Sequence, residues 1–275
     1  MDLIRVDKER CVGCGLCAEV CPVGALAMGT AGPEAVAPDE CIRCGHCVAV
    51  CGQDALDNRL APLAGQGRLE TYPVLDANTA ELFLRSRRSV RCYREKSVPR
   101  AELERLVNIA RFAPTASNSQ SVSYYVVESR RLLDELAGRV VDWMEVQVAA
   151  GTHYSSFPGH VQAHRKFGKD TIFRGAPHLV VAAAPEALKN RRDNTVFALA
   201  YMELFAGSVG LGSCWAGLFE LFAAANRQTV EEALGIRSGL TFTGAVMVGY
   251  PLYRFSKIVD RDPLEVSWVA SGDLD

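Results

Sequence analysis

From residue 76 onward, the chain alternates between apolar residues at helical spacing and short, bounded apolar runs. Leu103, Leu106, Val107 and Ala110 fall on one face of a helix that Pro99 can open and that ends near Ala113-Pro114. Residues 124–127, 179–184 and 241–248 are compact apolar runs suited to buried strands. Residues 132–150 and 194–209 are long enough for helices, and the second is so nearly all apolar that it should be central. The uncharged stretch 204–219 is short for a membrane span and is broken by Gly207, Gly210 and Gly212. It reads as a buried helix followed by a buried strand. Strands interleaved with long helices predict an α+β sandwich. Periodicity is lost between Asn58 and Asp76, where Pro62, Gly65, Gly67 and Pro73 cluster. The expected organisation is therefore a first domain over 1–60, a linker over 61–75 and a second domain over 76–275.

Composition narrows the classes. At 275 residues and 49% hydrophobic content, the chain can bury a sizeable second core. A net charge of -2 gives no electrostatic case for nucleic acid or an anionic membrane as partner. The start, Met1-Asp2-Leu3-Ile4-Arg5, lacks the apolar core of a signal peptide and carries no paired arginines, so a cytoplasmic, reducing location is expected.

The cysteines carry the strongest chemical signal. Cys11, Cys14, Cys17 and Cys21 form one run, and Cys41, Cys44, Cys47 and Cys51 form another. Each reads C-x2-C-x2-C-x3-C, the bacterial ferredoxin spacing, in which three thiolates grip one cubane and the fourth crosses to the other. That predicts two 4Fe-4S clusters, one on Cys11, Cys14, Cys17 and Cys51, the other on Cys41, Cys44, Cys47 and Cys21. Soft thiolates suit iron–sulfur clusters better than oxygen or imidazole ligands do. Two identical spacings also argue against a zinc knuckle or disulfides. Residues 6–26 align with 36–56 at a thirty-residue period, ending in Ala25-Leu26 and Ala55-Leu56. The first sixty residues thus resemble a duplicated ferredoxin module. Gly52 stands where the first half keeps Pro22, which bears on turn stiffness and cluster potential and not on ligation.

Arg85-Ser86-Arg87-Arg88-Ser89-Val90-Arg91 offers many hydrogen-bond donors to one small anion such as a phosphate monoester, although composition alone favours a solvated basic helix end. Taken with Ala113-Pro114-Thr115-Ala116-Ser117-Asn118-Ser119-Gln120, with Gly210-Leu211-Gly212-Ser213-Cys214-Trp215-Ala216-Gly217, and with Val248-Gly249-Tyr250-Pro251 leading to Arg261, it makes residues 76–270 resemble the nitroreductase family of flavin enzymes.

That resemblance implies a homodimer with FMN sites at the subunit interface, each built from both chains. Arg87, Arg88, Ser89 and Arg91 would hold the phosphate and the nearby flavin edge, with Arg261 closing the site. Relatives often carry a lysine two residues before that arginine; Val259 stands here, which shifts weight to the arginine pair or to Lys257. Pro114, Thr115, Ser117 and Asn118 would line the partner's flavin, with Gln120 in support, and Ser121-Val122 replace a common proline–tryptophan pair. Trp215, Ala216 and Gly217 would cover one flavin face and offer a backbone N–H toward N5, where such a donor can tune the reduced flavin. No side chain is expected to be a catalytic acid or base, the chemistry lying at N5.

Other residues invite plainer readings. Cys92 and Cys214 are expected to be small buried apolar groups. His153, His160, His164 and His178 lack metal-ligand spacing and are expected on helix or loop surfaces, the first three where relatives build a substrate lid. Tyr154, Phe157 and Phe173 could stack on a flat substrate there or pack in the core. His46 could tune a cluster or simply sit at the surface.

Joining the halves predicts an iron–sulfur flavoprotein oxidoreductase. A low-potential donor such as ferredoxin would feed the clusters, the clusters FMN, and N5 of reduced FMN a small electron-poor organic acceptor: a nitroaromatic, quinone or conjugated carbonyl. One alternative has NAD(P)H reducing FMN and the clusters exporting electrons. Another is a non-catalytic redox carrier or sensor, favoured if residues 140–174 plug the flavin face.

Overall fold

The computed structural model describes residues 2–152 and 154–269. In the first half, β1 (Ile4–Val6) pairs antiparallel with β4 (Leu56–Asn58), while β2 (Leu26–Gly29) and β3 (Gly32–Ala35) form a hairpin. One-turn helices α1 (Leu16–Glu19) and α2 (His46–Ala49) lie within the cysteine runs and carry Cys17 and Cys47. The thirty-residue repeat is carried by the backbone itself: Gly13 and Arg43, Gly15 and Gly45, and Gly24 and Asp54 all take left-handed conformations. Arg43 and Asp54 adopt at some cost what glycine gives freely in the first copy. Leu3, Leu26, Val48 and Leu56 make the small core between the copies.

Residues 61–68 run back along this half. Gly45, in the left-handed backbone that favours glycine, lies beside them, and Arg68 pairs with Asp54 at 2.8 Å. Helix α3 (Ala77–Ser86) begins where Asp76 accepts a hydrogen bond from the Thr79 amide at 3.1 Å. None of its residues is buried, and Leu82, Phe83 and Leu84 are exposed.

The second half is built on a four-stranded antiparallel sheet in the order β5 (Ser123–Val127), β6 (His178–Pro185), β8 (Leu240–Gly249), β7 (Gly212–Trp215). Alternate side chains serve opposite faces, so both sides are apolar. Val180, Ala182, Val246 and Val248 pack under α4 (Arg100–Asn108) and α7 (Arg191–Ala206). Leu179, Val181, Ala245 and Met247 pack under α5 (Arg130–Ala149) and α8 (Gly217–Ala225), where Phe157 of α6 (Phe157–Phe167) and Val230 of α9 (Arg227–Leu234) also join the core. The predicted α+β sandwich is present, with α7 among its central helices. The uncharged stretch contains the end of α7, then β7, then the start of α8. No described helix is long and apolar enough to cross a membrane.

Two surface and burial expectations are corrected. His178 is buried, not at a surface, because it opens β6, the strand between β5 and β8, and its Nε2 accepts from the Val98 amide at 2.9 Å. Cys92 is exposed, because the neighbouring Tyr93 takes the inward position of this extended arm. Cys214 is buried as expected, and burial pushes its thiol pKa up. His46 is exposed, His160 and His164 are half-buried, and His153 lies outside the described residues.

Candidate functional site

The cysteines line two separate cavities. Cys11, Cys14, Cys17 and Cys51 line one, together with Met28 and Leu56. Cys21, Cys41, Cys44 and Cys47 line the other, together with Ile42 and Asn58. Each therefore takes three thiols from one run and the fourth from the other, the crossing that the spacing predicts. Among the described residues, no three His, Cys, Asp or Glu side chains gather closely enough to hold a single metal ion. Thiols spread around a void suit a cubane with one iron per thiolate better than a lone tetrahedral zinc. The amides of Ala25 and Ala55, equivalent in the repeat, donate to Cys21 Sγ at 3.2 Å and Cys51 Sγ at 3.3 Å.

Beyond α3, the extended arm 87–93 runs beside β7. The Val90 amide donates to the Ser213 carbonyl at 2.8 Å, and Gly212 makes the approach possible, since a Cβ there would lie 2.5 Å from Val90 Cγ2. This places Arg87 and Arg88 in a cleft of about 450 Å³ that also takes Glu203, Ser213 and Arg254 into its wall. Arg87 Nη1 is 4.0 Å from Glu203 Oε1, to which Ser213 Oγ donates at 3.2 Å. Burial raises the Glu203 pKa, against the pull of Arg87 and Ser213. Arg88 Nη2 is buried without any protein acceptor. An unsatisfied buried guanidinium N–H is costly, and a phosphate oxygen is the acceptor that suits it.

The other expected phosphate residues are not gathered here. Ser89 bridges to Ser213 of β7, and the charge of Arg91 lowers the Cys214 thiol pKa against its burial. Arg261 and Lys257 are exposed on the extended segment that follows Pro251, while Arg254 of that segment lines the cleft instead. No motif marks Arg254 in the sequence, whereas the family pattern points to Arg261. Glu203 stands among apolar residues in the second half of α7, where no motif marks it.

Pro114, Thr115 and Ala116 line a different depression, beside Asn194 and Phe197 of α7. The loop is held open by left-handed backbone at Ser117, Asn118 and Gln120. Asn194, itself buried, clamps it by accepting from the Ala116 amide at 2.9 Å and donating to Ser119 Oγ at 3.2 Å. Gln120 adds a bond from its amide to Thr115 Oγ1 at 3.0 Å. Asn118 Nδ2 reaches out of the loop to donate to the Ile42 carbonyl at 2.9 Å. The two halves of the chain thus meet between the second cysteine run and this loop.

Within Trp215-Ala216-Gly217, the amides are not equivalent. That of Ala216 is spent on the Ala245 carbonyl at 2.9 Å, whereas Gly217 is exposed and opens α8, where the first amides have no intrahelical acceptor. The Arg192 guanidinium lies 5.2 Å from the Trp215 ring and is held by Glu220 at 3.0 Å. In the lid region Phe157 and Phe173 are buried in the core, leaving Tyr154 exposed.

The nitroreductase family model matches residues 84–250, and a 4Fe-4S dicluster domain model matches residues 3–52. The chain belongs to the nitroreductase family. It is an FMN-dependent oxidoreductase by that membership, with an N-terminal dicluster ferredoxin domain. Among relatives of this nitroreductase, nitroreductase NfnB of Mycolicibacterium smegmatis is 28% identical over 211 residues, covering 66% of this chain and 87% of its own. An Archaeoglobus fulgidus protein assigned by name as an NADH dehydrogenase/NAD(P)H nitroreductase is 25% identical over 170 residues, covering 60% and 82%. The FMN-bound nitroreductase structure from Desulfitobacterium hafniense aligns with a TM-score of 0.58 at 18% identity, over 71% of this chain and all of that one. That from Bacteroides fragilis gives 0.53 at 20%, over 72% and 98%. The structural likenesses establish the fold.

Proposed function

We propose that this nitroreductase takes single electrons from a low-potential donor through two 4Fe-4S clusters and passes them, by way of FMN, to an electron-poor organic acceptor such as a nitroaromatic, quinone or conjugated carbonyl. The observation that carries the flavin half of this reading is the buried, unpartnered Nη2 of Arg88 in a cleft that Arg87, Glu203, Ser213 and Arg254 also line. When bound, FMN supplies the conversion of two single electrons into a hydride. Arg88 holds its phosphate, Arg87 and Arg254 add positive charge, and Gly217 presents the free amide for N5. The first cluster is held by Cys11, Cys14, Cys17 and Cys51, and the second by Cys41, Cys44, Cys47 and Cys21.

The working unit is a homodimer. Val196, Phe197 and Tyr201 on α7, Leu82 to Leu84 on α3, and Phe255 and Trp268 on the extended segment leave apolar surface exposed in one chain. A second copy covers it and brings its own Pro114–Asn118 loop to the flavin held by the first. Protein purified without oxygen is expected to contain about eight irons and about one FMN per chain and to elute as a dimer. Full iron without flavin, even after FMN is added back, would remove the oxidoreductase reading in favour of a carrier or sensor.

The name carried by the Archaeoglobus relative favours a second reading, in which NAD(P)H reduces FMN directly and the clusters carry electrons out. Steady-state assays with NAD(P)H against reduced ferredoxin separate the two directions.

A further inference from the structure

Resting on that reading of clusters and flavin, we infer that the second cluster, on Cys41, Cys44, Cys47 and Cys21, is the one that hands electrons to the flavin site, and that Asn58 tunes it for this role.

Two independent observations support the order. The first is contact. Asn118 Nδ2 donates to the carbonyl of Ile42, which follows the ligand Cys41 and lines the second cavity, and Asn118 belongs to the loop assigned to the flavin. Both cavities are lined by ferredoxin-half residues alone, but among the described residues the side-chain hydrogen bond from the nitroreductase half reaches a lining residue of the second cavity and none of the first. The second is an asymmetry between the duplicated copies. Asn58 is buried and its Nδ2 lies 3.6 Å from Cys47 Sγ and 3.9 Å from Cys41 Sγ. At the equivalent place thirty residues earlier stands Met28, which lines the first cavity and has no N–H to give. The Ala25 and Ala55 amides supply one N–H···S contact to each cluster and cancel, so Asn58 is an unmatched donor.

Donors to sulfur stabilise the more negative, reduced cluster and raise its potential. Burial acts in the opposite sense, and it weighs more on the second cluster, where Cys47 is buried, than on the first, where Cys14 is exposed. Asn58 offsets that penalty and keeps the exit cluster reducible. The external donor is oxidised in two one-electron steps. Each electron reduces the second cluster and leaves it again, and FMN gains the two electrons together with two protons from water. The acceptor then receives a hydride and a proton, returning FMN to its oxidised state.

The test is an EPR-monitored redox titration of the anaerobic holoenzyme, beside stopped-flow bleaching of its FMN by reduced methyl viologen, in wild type, Asn58→Met and Met28→Asn. Asn58→Met is expected to lower the potential of one cluster only and to slow bleaching about tenfold, the effect of one charge-assisted hydrogen bond. Met28→Asn should raise the potential of the other cluster and leave that of the cluster beside Asn58 in place. Should Asn58→Met fail to assemble its clusters, Asn58→Ser provides the second reading. Wild-type bleaching in Asn58→Met, or a potential shift in that variant at the cluster that Met28→Asn also shifts, overturns the inference. Absence of FMN or of cluster signals in the wild type would instead overturn the functional reading beneath it.

Discussion

Arg87 faces Glu203 at 4.0 Å, while the adjacent Arg88 buries a guanidinium nitrogen that no protein atom satisfies. Two neighbouring arginines therefore differ in what they can offer an anion. Arg87 is already partly neutralised, and Arg88 has its charge and a donor in reserve. Arg88→Ala is expected to weaken FMN binding by ~2 kcal/mol, roughly thirtyfold, because it removes a hydrogen bond to a charged group. Arg87→Ala should cost less than about 1 kcal/mol, as for a partly screened pair. Fluorescence titration of the apoprotein with FMN measures both, and equal losses would contradict the distinction.

Asn194 joins the central helix to the loop of residues 114–120 through both ends of its amide. Asn194→Ala leaves the Ala116 amide without its acceptor in a half-buried place, which should cost ~1–3 kcal/mol of stability. Asn194→Asp keeps the Oδ1 acceptor and should recover part of it. Thermal unfolding of the holoenzyme under anaerobic conditions provides the comparison.

Burial holds the His178 pKa below the ordinary histidine value, with nearby Glu128 pulling the other way. Nε2 accepts the Val98 amide only when the ring is neutral there. As pH falls below about 6.5, the unfolded chain takes up this proton before the folded one does. Stability should therefore decline from that point down through the lower folded pKa and then level off. The decline should flatten in His178→Gln, read from unfolding midpoints between about pH 5 and 8.

Gly249 closes β8 where the chain crosses under Tyr93. A Cβ there would lie 2.6 Å from Pro177 Cδ and 2.8 Å from Tyr93 Cδ1. Gly249→Ala is expected to destabilise by ~1–3 kcal/mol, the range for overpacking a filled site. Because Tyr93 continues the arginine arm, FMN affinity should fall in parallel. A stable variant with unchanged flavin binding would show that the arm moves independently of the sheet.

The sequence disclosed what depends on spacing or on period. The cysteine crossing follows from covalent order along two identical runs. β6, β8 and α7 were legible because both sheet faces are covered, which makes their apolar runs continuous. What stayed hidden depends on residues far apart in the chain. Arg254 and not Arg261 lines the cleft, and only the path of the chain after Pro251 decides which arginine reaches it. Glu203 stands among apolar residues in the second half of α7, and its role appears only when Arg87 is brought beside it. Asn58 left a trace: comparing it with Met28 across the repeat exposes a polar substitution beside a cluster cavity. His178 carries no such trace, since nothing local distinguishes a histidine that accepts a backbone amide from one at the surface.

The bond from Asn118 to the Ile42 carbonyl joins two modules that are often thought of as separable. It is made by a side chain on one and a main-chain oxygen on the other, so its docking geometry depends on the backbone of the cysteine loop more than on its side chains. A foreign two-cluster domain with the same loop conformation could be grafted in place of residues 1–60 and still find its seat. A nitroreductase without a donor at position 118 would accept the graft covalently and leave it electrically unplugged.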